Sequence, residues 1–544
     1  MNLKIIFQLS LAVTFLFSCK GDKLDKIEGD HTSDKPNIVW IYLEDTAPLL
    51  GCYGEPLVDT PNIDSLATRG VLYKNVFMPA PVCSASRSSI ITGMMSTSFG
   101  AQNHHSSRTT ESAIYLPEQA QTIPELFKGA GYFTFNNGKD DYNFVYDRKD
   151  LYDQEYLYHP LYGKSGERLD LASLKGKEPF FGQIQMYGGK EIFNSKFKEN
   201  VASPVDRSQI KLPPYLPHHP AIVEEYANHL DAIQITDEKV GEIMGKLREN
   251  DLLKNTIVFF FSDHGMRLTR NKQFLYDGGL QVPLIIADFR EGKSKIQTGS
   301  VNSDLIAGLD LGTTALALAK IPIPENMEGR DIFNESIGPR EFVISTRDRC
   351  DFTIDRIRSV RSKEFKYIRN FMTDRPYTQP TYMDFDKVEF VGVMKQLHAE
   401  GKLNEAQDRF MAAVRPSEEL YDINADPFEL NNLAQNPQYS KVLEKYRSVL
   451  DQWVLETDDK GQYGEDEAGL KFMLGIWGKD CVNSEYDILR KKYPNFEGSL
   501  VYLKSETSKK VEPDFVGTPL FDIEGDQLVQ FSVRPMSEKS GEEL

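Results

Sequence analysis

The chain has 544 residues and a formal net charge of −18, with 81 acidic against 63 basic residues. That acidic excess excludes a general nucleic-acid binder, because neutralising phosphates needs a basic surface. With 40% hydrophobic and 26% charged residues, the composition also excludes a disordered chain and a bundle of membrane helices, and it predicts a large buried core.

At the N-terminus, Met1-Asn-Leu-Lys4 precedes an apolar run from Ile5 to Phe17, followed by Ser18-Cys19. The run is too short to span a bilayer, and its charged start and small-residue end read as a secretory signal. A cysteine after Leu16-Phe-Ser18 resembles the processing site of bacterial lipoproteins. That resemblance implies a lipid on Cys19 and an exported protein, anchored by lipid alone, at the periplasm or cell surface. Residues 20–35 are polar and charged and suit a tether.

Asn37-Ile-Val-Trp-Ile-Tyr-Leu43 is almost wholly apolar and predicts a strand buried on both faces, ending at Glu44-Asp45. Ala221 to Arg248 carries Ile222, Val223, Tyr226, Leu230, Ile233, Val240, Ile243, Met244 and Leu247 near helical spacing. It feeds a second buried strand, Thr256–Phe261, which ends at Ser262-Asp263-His264-Gly265. A helix feeding a buried strand signals an α/β domain with a parallel sheet, in which ligands collect at the carboxyl ends of strands. Both acidic pairs fall there.

After Pro339-Arg340 the segments 341–345 and 365–369 read as shorter strands, and 419–433 as a turn leading into a last helix. A boundary near 339 divides a catalytic domain, 36–339, from a C-terminal subdomain, 340–504; residues 505–544 carry no functional signal. A basic run, Arg347, Arg349, Arg356, Arg358, Arg361, Lys363, Lys366 and Arg369, is either a local anion pocket or a solvated face. The five cysteines, Cys19, Cys52, Cys83, Cys350 and Cys481, show no zinc-like spacing, and a protein of this size needs no disulfide framework, with at most one bridge among Cys52, Cys350 and Cys481.

Glu44, Asp45, Asp263 and His264 form a candidate metal site. Three carboxylates favour a hard cation, calcium or magnesium, over zinc. Pro81-Val-Cys-Ser-Ala-Ser-Arg-Ser-Ser89 places one cysteine among small hydroxylated residues, with Arg87 four positions on.

Cys83-Ser-Ala-Ser-Arg87 resembles the signature of the type I sulfatases, in which the cysteine is oxidised to formylglycine. The resemblance runs from about residue 36 to 435 through Gly51-Cys-Tyr-Gly54, Thr60-Pro-Asn-Ile-Asp64, Thr92-Gly93, Gly138-Lys139, Ser262-Asp-His-Gly265, Lys272, Leu275-Tyr-Asp-Gly-Gly279 and Leu420-Tyr-Asp422. It implies an alkaline phosphatase-like fold: a large mixed sheet sandwiched by helices, with a smaller C-terminal α+β subdomain carrying an antiparallel sheet. It also implies a formylglycine hydrate at 83 whose two hydroxyls attack sulfur and then expel sulfate. Arg87 would hold that hydrate, Lys139 and Lys272 would contact the sulfate, and a maturation enzyme would be a partner.

Several positions depart from the common family pattern. Asp141 stands where a histidine usually follows the lysine, and Tyr187-Gly-Gly-Lys190 replaces a histidine that assists the leaving group, which makes Lys190 a substitute candidate. Glu44 replaces an aspartate and Ala85 a frequent proline. His104 and His105 are candidates for the substrate mouth, with Asp141. Similarity to the heparan N-sulfatase branch implies that Arg347 and Arg349 bind a uronate or a second sulfate. The expected activity is hydrolysis of sulfate esters on a sulfated polysaccharide or oligosaccharide, an algal glycan such as ulvan or a glycosaminoglycan. The alternatives are an N-sulfamidase, a phosphodiester or phosphonate hydrolase, and a non-catalytic glycan-binding lipoprotein.

Overall fold

The structure is a computed structural model that describes residues 35–156, 169–381 and 390–494, except 108, 110, 293 and 295, with the short strand pair Leu500–Val501 and Gln530–Phe531. The expected signal, Cys19 and the tether as far as residue 34 lie outside the described residues, as does nearly all of 505–544. The described residues from Lys35 onward fall in one unit, with the last strand of the larger sheet ending at Ala307 and the first strand of the second sheet beginning at Val343.

The larger sheet has eight strands: β1 (Asn37–Leu43), β2 (Gly70–Phe77), β3 (Phe133–Asn137), β4 (Gln154–Tyr156), β5 (Phe180–Met186), β6 (Thr256–Ser262), β7 (Leu284–Asp288) and β8 (Ser300–Ala307). Their order is β4-β3-β5-β1-β6-β7-β2-β8. All neighbours are parallel except β7, which runs antiparallel to both β6 and β2, so the sheet is mixed. Every residue of β1 and β6 is buried, as near-continuous apolar runs require. Alternation then sends Val39, Ile41, Leu43, Val258 and Phe260 to one core, and Ile38, Trp40, Tyr42, Ile257, Phe259 and Phe261 to the other. The 30-residue helix Pro220–Glu249, with proline at its start, packs its apolar stripe into the first core. Helices Cys83–Thr92, Ile123–Gly129 and Asp310–Leu318 place apolar residues in or against the second.

The second sheet is antiparallel, in the order β12-β11-β10-β9, formed by β9 (Val343–Arg347), β10 (Ile357–Arg361), β11 (Phe365–Asn370) and β12 (Glu418–Asp422). Here the expected turn at 419 is instead an edge strand. Leu420 is fully buried opposite Tyr367, and the turn residues begin only after Asp422. Helix Ser440–Thr457 covers this sheet with Leu443, Tyr446 and Leu450, and it is not the last: Glu467–Trp477 and Ser484–Lys492 follow. No helix among the described residues is long and apolar enough to cross a membrane.

Much of the basic run joins these layers internally. Arg358, fully buried, lies between Asp348 (Nη1 to Oδ2, 2.9 Å) and Asp459 (Nε to Oδ2, 2.7 Å). Arg361 and Lys366 meet on Asp277, 3.1 and 2.8 Å away, tying β10 and β11 to the short helix Asp277–Leu280. These pairs are structural rather than an anion-binding surface.

Glu429 adds a second carboxylate to that junction, 3.4 Å from Lys366 and accepting from the Asp277 amide. Burial pushes its carboxyl up to about 7 against the pull of Lys366, with Asp277 adding to the rise and Arg270 opposing it. A carboxyl raised in the folded state stabilises fully only below its unfolded value, and that contribution is lost as pH rises through about 7. Glu429→Gln is therefore expected to lose less melting temperature than wild type between pH 5 and 8. Parallel curves for the two proteins would contradict this.

Candidate active site

Leu43 of β1 pairs in register with Ser262 of β6, so the acidic segments that follow the two strands emerge side by side. The Asp263 amide donates to Leu43 O (3.1 Å) and the Asp45 amide to Asp263 Oδ1 (3.1 Å). Asp45 takes a left-handed backbone, φ 51°, which costs a non-glycine residue on the order of 1 kcal/mol or more.

The helix Cys83–Thr92 begins at Cys83 and is buried along its whole length. Its small hydroxylated residues explain how a polar helix survives there. Ser89 Oγ donates to Ala85 O (2.9 Å), Thr92 Oγ1 to Ser88 O (2.7 Å) and Ser86 Oγ to Asp263 O (2.6 Å). Each hydroxyl is satisfied without a bulky partner. Residue 83 thus stands at a helix N-terminus, where unpaired amides favour negative charge.

Cys83 Sγ lies 3.2 Å from His264 Nε2 and 3.3 Å from Lys272 Nζ. Burial pushes the thiol up, but Lys139, Lys272, Lys190 and His264 outweigh it and hold the thiol at about 6. Position 83 is therefore a place where the protein stabilises an anion. Arg87 is fully buried, with Nε 3.0 Å from Asp263 Oδ2, Nη1 donating to Gln185 Oε1 (2.8 Å), Nη2 3.6 Å from Glu44, and its guanidinium 4.3 Å from the centre of the Tyr42 ring.

Ligand atoms of Asp45, Asp263, His264 and residue 83 all lie within 4.8 Å of one another. Asp45 Oδ2 is buried with no hydrogen-bond partner, and the Lys272 ammonium holds Oδ1 at 2.8 Å. Burial raises the Asp45 carboxyl, yet Lys272, Lys190 and His264 bring it well below the usual carboxylate range. Buried ionised oxygens converging with an imidazole fit a cation. Glu44, expected as a fourth protein ligand, is outside this group. Its longer arm carries the carboxylate to Lys190 (2.6 Å), Lys139 (3.6 Å) and Arg87 (3.6 Å). Lys190 is itself held as a cation: burial and Lys139 lower its ammonium, and Glu44, residue 83 and Asp45 together more than restore it.

A second network adjoins the first. Lys139 Nζ is 3.1 Å from Asp141 Oδ2, and Asp141 Oδ1 is 3.0 Å from His105 Nε2. The His104 and His105 ring centres lie 3.6 Å apart with their planes tilted by 31°, and their Nδ1 atoms approach Asp351 Oδ1 at 3.2 and 3.5 Å. Asp141 and His105, singled out separately in the sequence, thus form one unit; the carboxylate takes the place of the usual histidine, and an imidazole from another loop meets it.

Arg347 and Arg349 are turned away from the role expected of them. Arg347 pairs with Asp355 through Nη1 and donates to Gln273 Oε1 through Nη2 (3.2 Å). Arg349 binds Glu465 through Nε and Nη2 (2.5 and 2.7 Å), and its Nη1 donates to His104 O (2.8 Å) and Asp351 O (2.5 Å). Their donors organise loops, so neither presents the open fork that a uronate or a second sulfate requires. Sequence reading missed Gln185, Asp351 and Glu465. Only Asp351, two residues after Arg349, had a signal nearby. Cys52, Cys350 and Cys481 are free thiols.

The sulfatase family model matches residues 36–321. The chain belongs to the sulfatase family. This sulfatase is 30% identical to an ulvan-active sulfatase of Formosa agariphila over 86% of its own length and 83% of that protein. It is 24% identical to human N-sulphoglucosamine sulphohydrolase over 75% and 88% of the two chains. Among solved structures, a putative sulfatase from Bacteroides fragilis shares the fold at a TM-score of 0.61, with 20% identity, covering 81% of this chain and 100% of that one. As a sulfatase, the chain is a sulfuric ester hydrolase.

Proposed function

We propose that this sulfatase removes sulfate esters from a sulfated polysaccharide or oligosaccharide, of the ulvan type first and of the glycosaminoglycan type second. The observation that carries the chemistry is the position of residue 83, at a buried helix N-terminus among Lys139, Lys190, Lys272 and His264. The relatives named above support the substrate class. In this reading a maturation enzyme converts Cys83 to formylglycine, which supplies the nucleophilic hydroxyl. Asp45, Asp263 and His264 would hold calcium, which would supply Lewis-acid withdrawal of charge from the sulfate.

The rest of the work falls to the chain itself. Lys272, 3.3 Å from the residue 83 side chain, holds its anionic form. Arg87 binds Asp263 and approaches Glu44, fixing the Asp263 carboxylate at the proposed cation position and the Glu44 carboxylate beside it. Lys139 and Lys190, buried on Glu44, point positive charge at the sulfate without reorganisation during the reaction. Assays of aryl sulfate, aryl phosphate and sulfated oligosaccharides test the reading. It predicts the highest kcat/KM on a sulfated glycan; preference for the phosphate ester would overturn it.

The same proposal places the enzyme at the membrane through lipid on Cys19. Cys19→Ala is expected to move the protein from the membrane to the soluble fraction, and identical fractionation of both proteins would contradict the anchor.

A further inference from the structure

Among the described residues, ten non-glycine positions have positive φ, and they include His105 (56°), Asp141 (55°) and Asp351 (44°). These are three members of the network beyond Lys139. A non-glycine residue held in the left-handed region costs on the order of 1–3 kcal/mol and persists where its surroundings over-determine it. The surroundings do so here. Arg349 Nη1 donates to the backbone carbonyls of His104 and Asp351 while Glu465, more than a hundred residues away, anchors the same guanidinium, and Asn103 Oδ1 accepts from the Arg349 amide (3.1 Å). Cys350 and Thr353 exchange backbone hydrogen bonds around Asp351 (3.0 and 2.9 Å), fixing a tight turn.

Every member of the network is buried, and Asp351 and His104 stand at the end away from Lys139. Asp141 has no exposed side-chain surface and joins Lys139, the sulfate-facing cation. Asp351 and His104 retain 6% and 8% of theirs. The line Lys139–Asp141–His105–Asp351 therefore leads from the proposed sulfate position to a largely buried carboxylate that keeps a small exposed edge. The Asp351 carboxyl is raised by burial but drawn down further by His104 and His105, so it is an ionised acceptor. The nearest arginines of the basic run, Arg347 and Arg349, are engaged elsewhere.

We propose that Asp351, braced by His104 and by the Arg349–Glu465 clamp, is a specificity-determining contact that accepts a hydrogen bond from an uncharged sugar hydroxyl beside the scissile sulfate, and that it disfavours a carboxylate or second sulfate there. The proposal rests on the glycan reading above and assigns one side of the leaving group. A like charge against a buried carboxylate costs affinity, whereas a hydroxyl completes the acceptor.

The test uses the full, matured chain with Asp351→Asn. Asparagine tolerates the left-handed backbone, so the turn is preserved while the charge is removed. The ratio of kcat/KM on a sulfated oligosaccharide to that on an aryl sulfate is expected to fall roughly 10- to 100-fold, mostly through KM, as loss of a hydrogen bond to a charged group would give. A glycan lacking the neighbouring hydroxyl should be hydrolysed by wild type as poorly as the intact glycan is by the variant. Glu465→Gln, which leaves Asp351 in place, should lower the same ratio less. An unchanged ratio for Asp351→Asn, or equal losses on both substrates, overturns the proposal while leaving the glycan reading intact. Failure of wild type on every sulfated glycan alongside turnover of aryl sulfate brings down the glycan reading and this proposal with it.

Discussion

Cys83→Ser is expected to abolish turnover, by a factor on the order of 10⁴ or more, while the melting temperature stays close to that of wild type. Serine replaces the thiol in a pocket lined by Lys272, His264 and the helix N-terminus, and its hydroxyl is satisfied there as the neighbouring serines are. A single hydroxyl attacks sulfur once but has no second hydroxyl to release the product. Activity of Cys83→Ser within a few-fold of wild type, measured by sulfate release from an oligosaccharide, would contradict the assigned role.

Asp263→Asn is expected to damage both activity and stability. Asp263 is fully buried, bonded to the equally buried Arg87, and its Oδ1 accepts from the Asp45 and His264 amides. Removing its charge leaves Arg87 with Glu44 at 3.6 Å as its remaining acidic partner, and breaking a buried pair costs about 3–5 kcal/mol. The same carboxylate belongs to the proposed calcium ligands. Chelation of wild type should therefore lower melting temperature and activity together, with calcium restoring both, whereas Asp263→Asn should respond weakly to either treatment. A melting temperature indifferent to chelator and calcium in wild type would remove the cation from the account.

The strands that carry the site were legible because burial on both faces leaves a signature that a single sequence displays. Asn37–Leu43 matches β1 throughout, and β6 extends the expected run by one residue, Ser262. The helix expected at Ala221 to Arg248 is observed as Pro220–Glu249. At 419 the reading failed because Asp-Pro and Asn-Asn turn signals at 426–432 follow immediately after a short edge strand, whose partners lie about fifty residues away in sequence.

The site shows the same division. Residues adjacent to a strand end or within the cysteine signature could be named from sequence, because local chain geometry places them. Which charges meet could not. Glu44 turns to lysines of two other loops, and Arg349 is claimed by Glu465 from the far end of the described chain. Such pairings are decided by tertiary packing, and a basic run in sequence says nothing of the acids that will neutralise it.

The central claim is that position 83 carries an aldehyde made from cysteine, and the mass of the peptide containing residue 83, taken from enzyme shown to release sulfate, tests it most directly. The account predicts a peptide lighter than encoded by the difference between a thiol-bearing methylene and an aldehyde, and one that a hydrazine reagent labels, because the hydrate of that aldehyde is nearly isobaric with the encoded thiol. An active enzyme whose peptide keeps the encoded mass, takes up a thiol-alkylating reagent and gives no hydrazine adduct would contradict it.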